Sequence, residues 1–303
     1  MPSRLTWATL GAAAIAATPA GAPALARAAP VSSNWGGYVA SARRGAGPGR
    51  FHRVAGSWIQ PAVNCPPGQP GYSAFWIGLG GYRQTSRALE QVGTEADCTG
   101  QGRAAYSVWY ELVPSAPVTL PMRLRAGDRI AGAFTASGRR VTVAIDDLTS
   151  GRSFKTVRTA SLIDVSSAEW IAEAPSDCRG ASRCQQLPLA DFGTVAFGAA
   201  SAATADGHRG PIRDARWTAR AVEMRDDGAG SAAGRLAAGA RAADALPQAL
   251  SAAASGFSIR WQAATLADQP PSELPPPPTA ARAPGRPVIA GGQVLRPTYR
   301  RVR

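Results

Sequence analysis

The chain has 303 residues, 45% of them hydrophobic, with 33 Lys plus Arg against 20 Asp plus Glu, a formal charge of +13, four cysteines and two histidines. That is enough for one full core or two small ones. His52 and His208 stand far apart in polar stretches, and no G-x-S-x-G elbow, P-loop, H-E-x-x-H or pepsin-type Asp-Thr/Ser-Gly loop occurs, which excludes His-rich metal sites, histidine relays and several common hydrolase classes.

In chain order, Met1 to Arg4 is short and basic, Leu5 to Ala17 is apolar, and Ala24-Leu25-Ala26 fits a small-x-small cleavage site. Residues 1–26 are therefore expected to be an export signal, with the mature chain starting near Arg27. The apolar run is broken by Pro19, Gly21 and Pro23, and nothing later reaches about 18 continuous apolar residues. A secreted protein with no membrane partner is expected, with a monomer as the default state.

Export permits disulfides, and Cys65, Cys98, Cys178 and Cys184 allow three pairings that sequence alone does not separate. Cys65 with Cys98 and Cys178 with Cys184 is the pairing adopted here. Their spacings lack the C-x-x-C pairs of a zinc site, so no metal is expected. Six arginines against Asp268 and Glu273 lie in the tail from Thr265, and Arg4 lies in the leader, which leaves a body of about +8. Its arginines form no stripe with interleaved aromatics, so no nucleic-acid partner is expected.

Short β-rich runs recur at Asn34 to Ala40, Phe51 to Gln60, Ser73 to Leu79, Ala88 to Thr94, Ala105 to Val113, Arg129 to Ala136, Val141 to Asp147, Ser153 to Thr159, Ala168 to Glu173, Val195 to Phe197, Ile212 to Met224 and Gly256 to Gln262. Gly, Pro, Ser and Asp separate them, and strands without intervening helices predict an all-β antiparallel sandwich or barrel. Asp226 to Ala254 is Ala- and Gly-rich and is expected to be an inserted loop with a short helix around Ala242 to Ala253. A single domain spans residues 27–264. Residues 265–303, with the Pro275 to Pro278 run, carry too little apolar content to offset ordering entropy and are expected to be disordered.

Strand periodicity assigns faces. In the run from Ala168 to Glu173, the two glutamates Glu169 and Glu173 share one face with Ile171, while Trp170 and Ala172 take the other. Four strand residues separate the glutamates by roughly 13 Å, beyond the 5 to 9.5 Å or so of paired-carboxylate glycosidases. Likewise Trp109 and Glu111 share a face opposite Tyr106, Val108 and Tyr110, and Gln91 points away from Glu90 and Val92. Each of these alone is also what an ordinary amphipathic strand with solvated carboxylates looks like.

Taken together, Trp35-Gly36-Gly37, the run Phe75 to Gly81, Glu90-Gln91-Val92-Gly93, Trp109-Tyr110-Glu111 and Ala168 to Glu173 follow in an order and spacing that resembles the glutamic peptidases, the eqolisins, in their secreted bacterial branch. The resemblance runs from about Ser33 to Trp261. It implies a sandwich of two curved antiparallel sheets of concanavalin A-like, jelly-roll type, with an active site on the concave face and no cofactor. It places the catalytic glutamine on Gln91 and the catalytic glutamate on Glu173, and it makes Trp76, Trp109, Glu111 and Glu169 cleft residues. Two departures stand out: one residue more separates Trp76 from Gln91 than in fungal members, and Gly80 replaces the usual Asp of Trp-Val-Gly-x-Asp-Gly, which puts a supporting hydrogen bond in question.

The implied function is a secreted, acid-active endopeptidase acting on protein or peptide substrates. Glu173, as a carboxylate of ordinary pKa near 4.3, takes a proton from the attacking water and returns it to the leaving amine, while Gln91 donates to the oxyanion. Two other readings compete. One is a non-catalytic or carbohydrate-binding sandwich module, the other a glycosidase with Glu173 facing Glu90 or Glu111.

Overall fold

The turn-forming residues that punctuate the sequence delimit strands almost throughout. The computed structural model describes residues 29–43, 50–178, 184–225 and 243–264. The export signal, most of the Ala/Gly-rich insertion and the tail from 265 lie outside the described residues. Eighteen strands are present among the described residues: β1 Val31–Ser32, β2 Trp35–Ala42, β3 Phe51–Ile59, β4 Ala74–Gly80, β5 Leu89–Cys98, β6 Ala104–Leu112, β7 Val118–Leu120, β8 Arg129–Ser137, β9 Arg140–Asp147, β10 Arg152–Thr159, β11 Ser167–Glu173, β12 Ser176–Cys178, β13 Cys184–Gln186, β14 Thr194–Thr204, β15 Arg209–Pro211, β16 Trp217–Met224, β17 Ala243–Pro247 and β18 Phe257–Ala263.

They form one curled ribbon folded into two layers, which is the expected antiparallel β-sandwich. The outer layer runs β10-β9-β8-β3-β14-β18-β17 and the inner layer β16-β2-β11-β4-β5-β6-β7. The layers join where β16 meets β17 at the pair Met224 and Ala245. All these pairings are antiparallel; β1 alone adds to β16 in parallel, and β12 and β13 make a separate two-stranded ribbon. The edges are protected from pairing with another chain: β10 carries Arg152, Lys155 and Arg158, and β7 is only three residues long.

Strands β8 and β9 alternate strictly between buried and less buried positions, because one face meets the other layer and the opposite face meets water. By contrast β4 is buried at every position and β2, β5 and β11 nearly so. Their second face is covered by the protein's own aromatic side chains. Between the layers, two buried indoles find partners on the facing sheet: Trp58 Nε1 donates to Thr94 Oγ1 at 2.9 Å and Trp170 Nε1 to the Ala55 carbonyl at 2.9 Å. Each cross-layer bond removes a buried polar atom that would otherwise cost about 1–3 kcal/mol.

The helix expected around Ala242 to Ala253 is replaced by a strand. β17 forms a five-pair ladder with β18, from Ala243 opposite Ala263 to Pro247 opposite Ile259. Alanine favours helix only weakly, Pro247 would break one, and ladder pairing in the sheet outweighs the propensity.

The Cys65–Cys98 disulfide forms, tying the segment before β4 to the end of β5 across 33 residues. Cys178 and Cys184 are register partners in the β12–β13 ribbon, and their side chains lie outside the described residues. Replacing Cys65 and Cys98 together by Ser is expected to lower stability by about 2–4 kcal/mol, measured as a lower guanidinium midpoint with a slope equal to or steeper than the wild type's, since the unfolded chain is less constrained.

Candidate active site

Strand register turns the predicted faces into three cross-strand rows on the inner layer, on the side away from the core. One row is Trp35, Glu173, Ala74, Glu95 and Ser107; the next is Gly37, Ile171, Trp76, Gly93 and Trp109; the third is Val39, Glu169, Gly78, Gln91 and Glu111. The face assignments made from periodicity therefore hold, and all six predicted site residues share one surface.

An aromatic and aliphatic cluster of Trp35, Val39, Leu89, Trp76, Trp109, Val113, Ile171 and Val222 paves this surface, with Tyr82 packed against it. Trp35 meets Trp76 edge-on with ring centroids 5.0 Å apart. The Trp76 ring reaches over Gly78, where a Cβ would come within 3.0 Å of Trp76 Cζ3, and β4 packs closely on Gly93, where a Cβ would come within 2.6 Å of Trp76 Cβ and 2.5 Å of the Phe75 carbonyl oxygen.

Trp76 points its one polar atom at Glu173, and Nε1 donates to Oε2 at 2.7 Å. Asn34 Nδ2 donates to the other oxygen, Oε1, at 3.2 Å. Asn34 is itself oriented, because Ser32 Oγ donates to its Oδ1 at 3.2 Å. Glu173 is half-buried at the end of β11. Its pKa is raised to about 8, first by burial and then by the charge of Glu111, against the lowering effect of the Trp76 bond. The ordinary value near 4.3 expected from sequence is thus corrected: a carboxyl that loses its water favours the neutral form.

Across the same surface Gln91, 5% exposed, donates from Nε2 to Glu111 Oε2 at 2.7 Å. That bond fixes the amide, and Gln91 Oε1 is buried without a protein partner among the described residues, as is Trp109 Nε1. Glu111 thus links the two predicted catalytic residues, bonded to Gln91 and close enough to Glu173 to raise its pKa. Trp76 and Glu169, expected to line the cleft, are instead fully buried. Trp76 acts by holding Glu173. Glu169 has both oxygens unpartnered among the described residues, and burial holds its pKa well above the usual carboxylate range. Neither is a solvated strand-face carboxylate.

Gly80 lacks the carboxylate usual at its position, yet one stands beside it. Asp164, from the connection between β10 and β11, accepts a hydrogen bond from the Gly81 amide at 3.3 Å and one from Ser86 Oγ at 2.5 Å. Sequence reasoning missed Asp164 and Asn34 because each acts from a bend or connection, and Ser32 because its strand is only two residues long; in none of them does periodicity assign a face. The β4 to β5 connection spans residues 81–88.

Residues 33–231 match the model of the Peptidase A4 family. The chain belongs to the Peptidase A4 family. This makes it a glutamic endopeptidase, a hydrolase of peptide bonds. Two solved structures share the fold. Scytalido-glutamic peptidase with a peptide-based transition state analog is 20% identical, with 76% of this chain and 98% of that chain covered at a TM-score of 0.59. SCP-B, a member of the eqolisin family of peptidases in complex with the tripeptide Ala-Ile-His, is 20% identical, with 77% and 98% covered at 0.55. No curated relative matches the chain in sequence.

Other carboxylates of this A4-family chain are raised in the same direction as Glu173. Burial lifts Glu90 to about 9 and raises Glu95 and Asp97, the latter also through the charge of Glu95. A carboxyl whose folded pKa exceeds its unfolded value binds a proton in the native state that the unfolded chain has released. Its contribution is complete below about pH 4 and is lost as pH rises through the folded pKa. Asp147 and Asp206 are lowered and act in the opposite sense, at the acid end of the range. Thermal stability is therefore expected to be greatest near pH 4 and to fall toward pH 9, by at least about 5 °C in Tm, the shift of about 2 kcal/mol in a domain of this size. Calorimetry across that range checks it.

Proposed function

We propose that the protein is a secreted, acid-active endopeptidase whose catalytic pair is Gln91 and Glu173. The observation that carries this reading is the pairing of a half-buried carboxyl, fixed by Trp76 and Asn34, with an amide on the same surface fixed by Glu111. Secretion rests on the leader-like residues 1–26, and the Cys65–Cys98 disulfide supports an oxidising destination.

With its pKa raised to about 8, Glu173 begins the reaction protonated at acid pH. It gives its proton to the scissile carbonyl oxygen while water adds to the carbonyl carbon, and the vacated carboxylate takes a proton from that water. A neutral tetrahedral diol results. Glu173 then protonates the leaving nitrogen, the C–N bond breaks, and the nascent acid returns its extra proton to Glu173. Gln91 orients the water through Oε1, while its second N–H supports the carbonyl oxygen as charge develops there. Low pH serves this chemistry because it keeps the transferable proton in place. Peptide substrates fit a surface paved by the indoles of Trp35, Trp76 and Trp109.

Cleavage of a denatured protein by the mature chain between pH 2 and pH 9, with pepstatin present, tests the reading. Activity is expected at acid pH, should persist toward neutral pH while Glu173 keeps its proton, and should decline as pH rises through the Glu173 pKa of about 8. Glu173→Gln and Gln91→Ala, both folded, should each lose about 100-fold or more in kcat. A wild type that cuts nothing, or a Glu173→Gln variant that cuts equally well, sinks it.

A further inference from the structure

The segment between β10 and β11 packs directly on the end of β4. Gly80 has φ 82°, and a Cβ there would meet the Asp164 carbonyl oxygen at 2.5 Å and Asp164 Cβ at 2.6 Å. This seating places the Asp164 carboxylate between both ends of the 81–88 connection, where Oδ2 accepts from Gly81 N and Ser86 Oγ. A local turn would need only its other oxygen, Oδ1, which accepts from Ser166 N at 2.9 Å. The backbone N–H of Asp164 is anchored in turn on Glu90 Oε2 at 3.4 Å.

What the connection carries gives this clamp a purpose. Tyr82 packs on the tryptophan cluster, and the Trp35 ring abuts Gly81, 3.1 Å from where a Cβ would stand. Trp35 meets Trp76 edge-on, and Trp76 holds Glu173. A continuous line of packed groups therefore runs from Asp164 to the Glu173 carboxyl.

We propose that Asp164 is a positioning residue for the peptidase reaction: by clamping the 81–88 connection through Gly81 and Ser86 it keeps Trp35 and Trp76 packed, and so fixes Glu173 in the cleft. The proposal rests on the reading of Glu173 as catalytic. Loosening the clamp lets Trp35 and Trp76 shift and lets water reach Glu173. Of the groups packed around Glu173, β2, the bend before it and β4 offer only uncharged Trp35, Asn34 and Trp76, while β6 contributes Glu111 and β5 contributes Glu95 along the same row. A change at Asp164 removes none of these charges; the Asp164 charge acts on Glu90 and Glu169, not on Glu173.

The test compares the wild type with Asp164→Ala, Asp164→Asn and Ser86→Ala, measuring kcat and KM on a fluorogenic peptide across pH, together with hydrogen exchange of residues 81–88. Asp164→Ala is expected to lose about 10-fold or more in kcat with KM changed less than about threefold. The alkaline limb of its pH profile should move to lower pH by roughly half a unit or more, because burial is the main cause of the raised Glu173 pKa. Exchange of 81–88 should quicken. Asp164→Asn keeps one acceptor oxygen for Gly81 and Ser86 but turns its NH2 toward the Ser166 N–H that Oδ1 now serves, so it should recover only part of the loss, and Ser86→Ala should shift the limb the same way by less. These two variants carry the test if Asp164→Ala does not fold. Unchanged kcat, an unmoved limb or unaltered exchange in folded variants overturns the proposal. A wild type that cleaves nothing refutes the catalytic reading instead, and faster exchange with altered tryptophan fluorescence in Asp164→Ala then still supports the clamp, whereas unaltered signals overturn it.

Discussion

The cleft is organised by one buried indole. Trp76 packs among Trp35, Trp109 and Ile171, and the absence of a side chain at Gly78 leaves room for its ring. Packed there, its N–H donates to Glu173. A flexible carboxyl on the last residue of a strand is thereby held without a charged partner. A salt bridge to Arg or Lys would fix Glu173 equally well and keep it ionised; an indole fixes it and leaves the proton on it.

The same economy extends over the surface. Glu169, Glu173, Glu95 and Glu111 stand on one face of the inner sheet with few compensating cations, and Glu90 sits on the adjoining side of β5. A sheet face so rich in carboxyls is tolerable only where protons neutralise them. Folding stability and the proposed proton transfer therefore ask for the same surroundings, and a chain with net positive charge hides a local site governed by acids.

Most of the architecture was legible because strands declare themselves by period and punctuation. The run from Arg129 to Asp147 alternates as a half-exposed hairpin should, and the faces of Glu169, Glu173, Trp109, Glu111 and Gln91 followed from counting by two. What period could not show was the second covering of the inner layer. Counting placed Glu169 on the face of Glu173 correctly, and the resemblance placed Trp76 there, yet depth depends on which loops fold over that face, and the 81–88 connection is bonded to Asp164 from about eighty residues away. Likewise Ala242 to Ala253 reads as helix locally, and only the ladder to β18 decides for strand. The raised pKa of Glu173 had no signal at all in sequence, since burial belongs to the assembled surface.

The junction between the layers has a consequence for how such chains vary. β16 and β17 are held as neighbours by the pair Met224 and Ala245, and each is anchored by a long ladder on its other side. The strands on either side of residues 226–242 thus end and begin side by side. Closing a longer or shorter excursion between fixed neighbours changes the entropy only with the logarithm of its length. The edge where the two layers meet is accordingly a place at which sequence can be gained or lost while the distance between Gln91 and Glu173 stays the same, and a natural port for grafting a second module onto the fold.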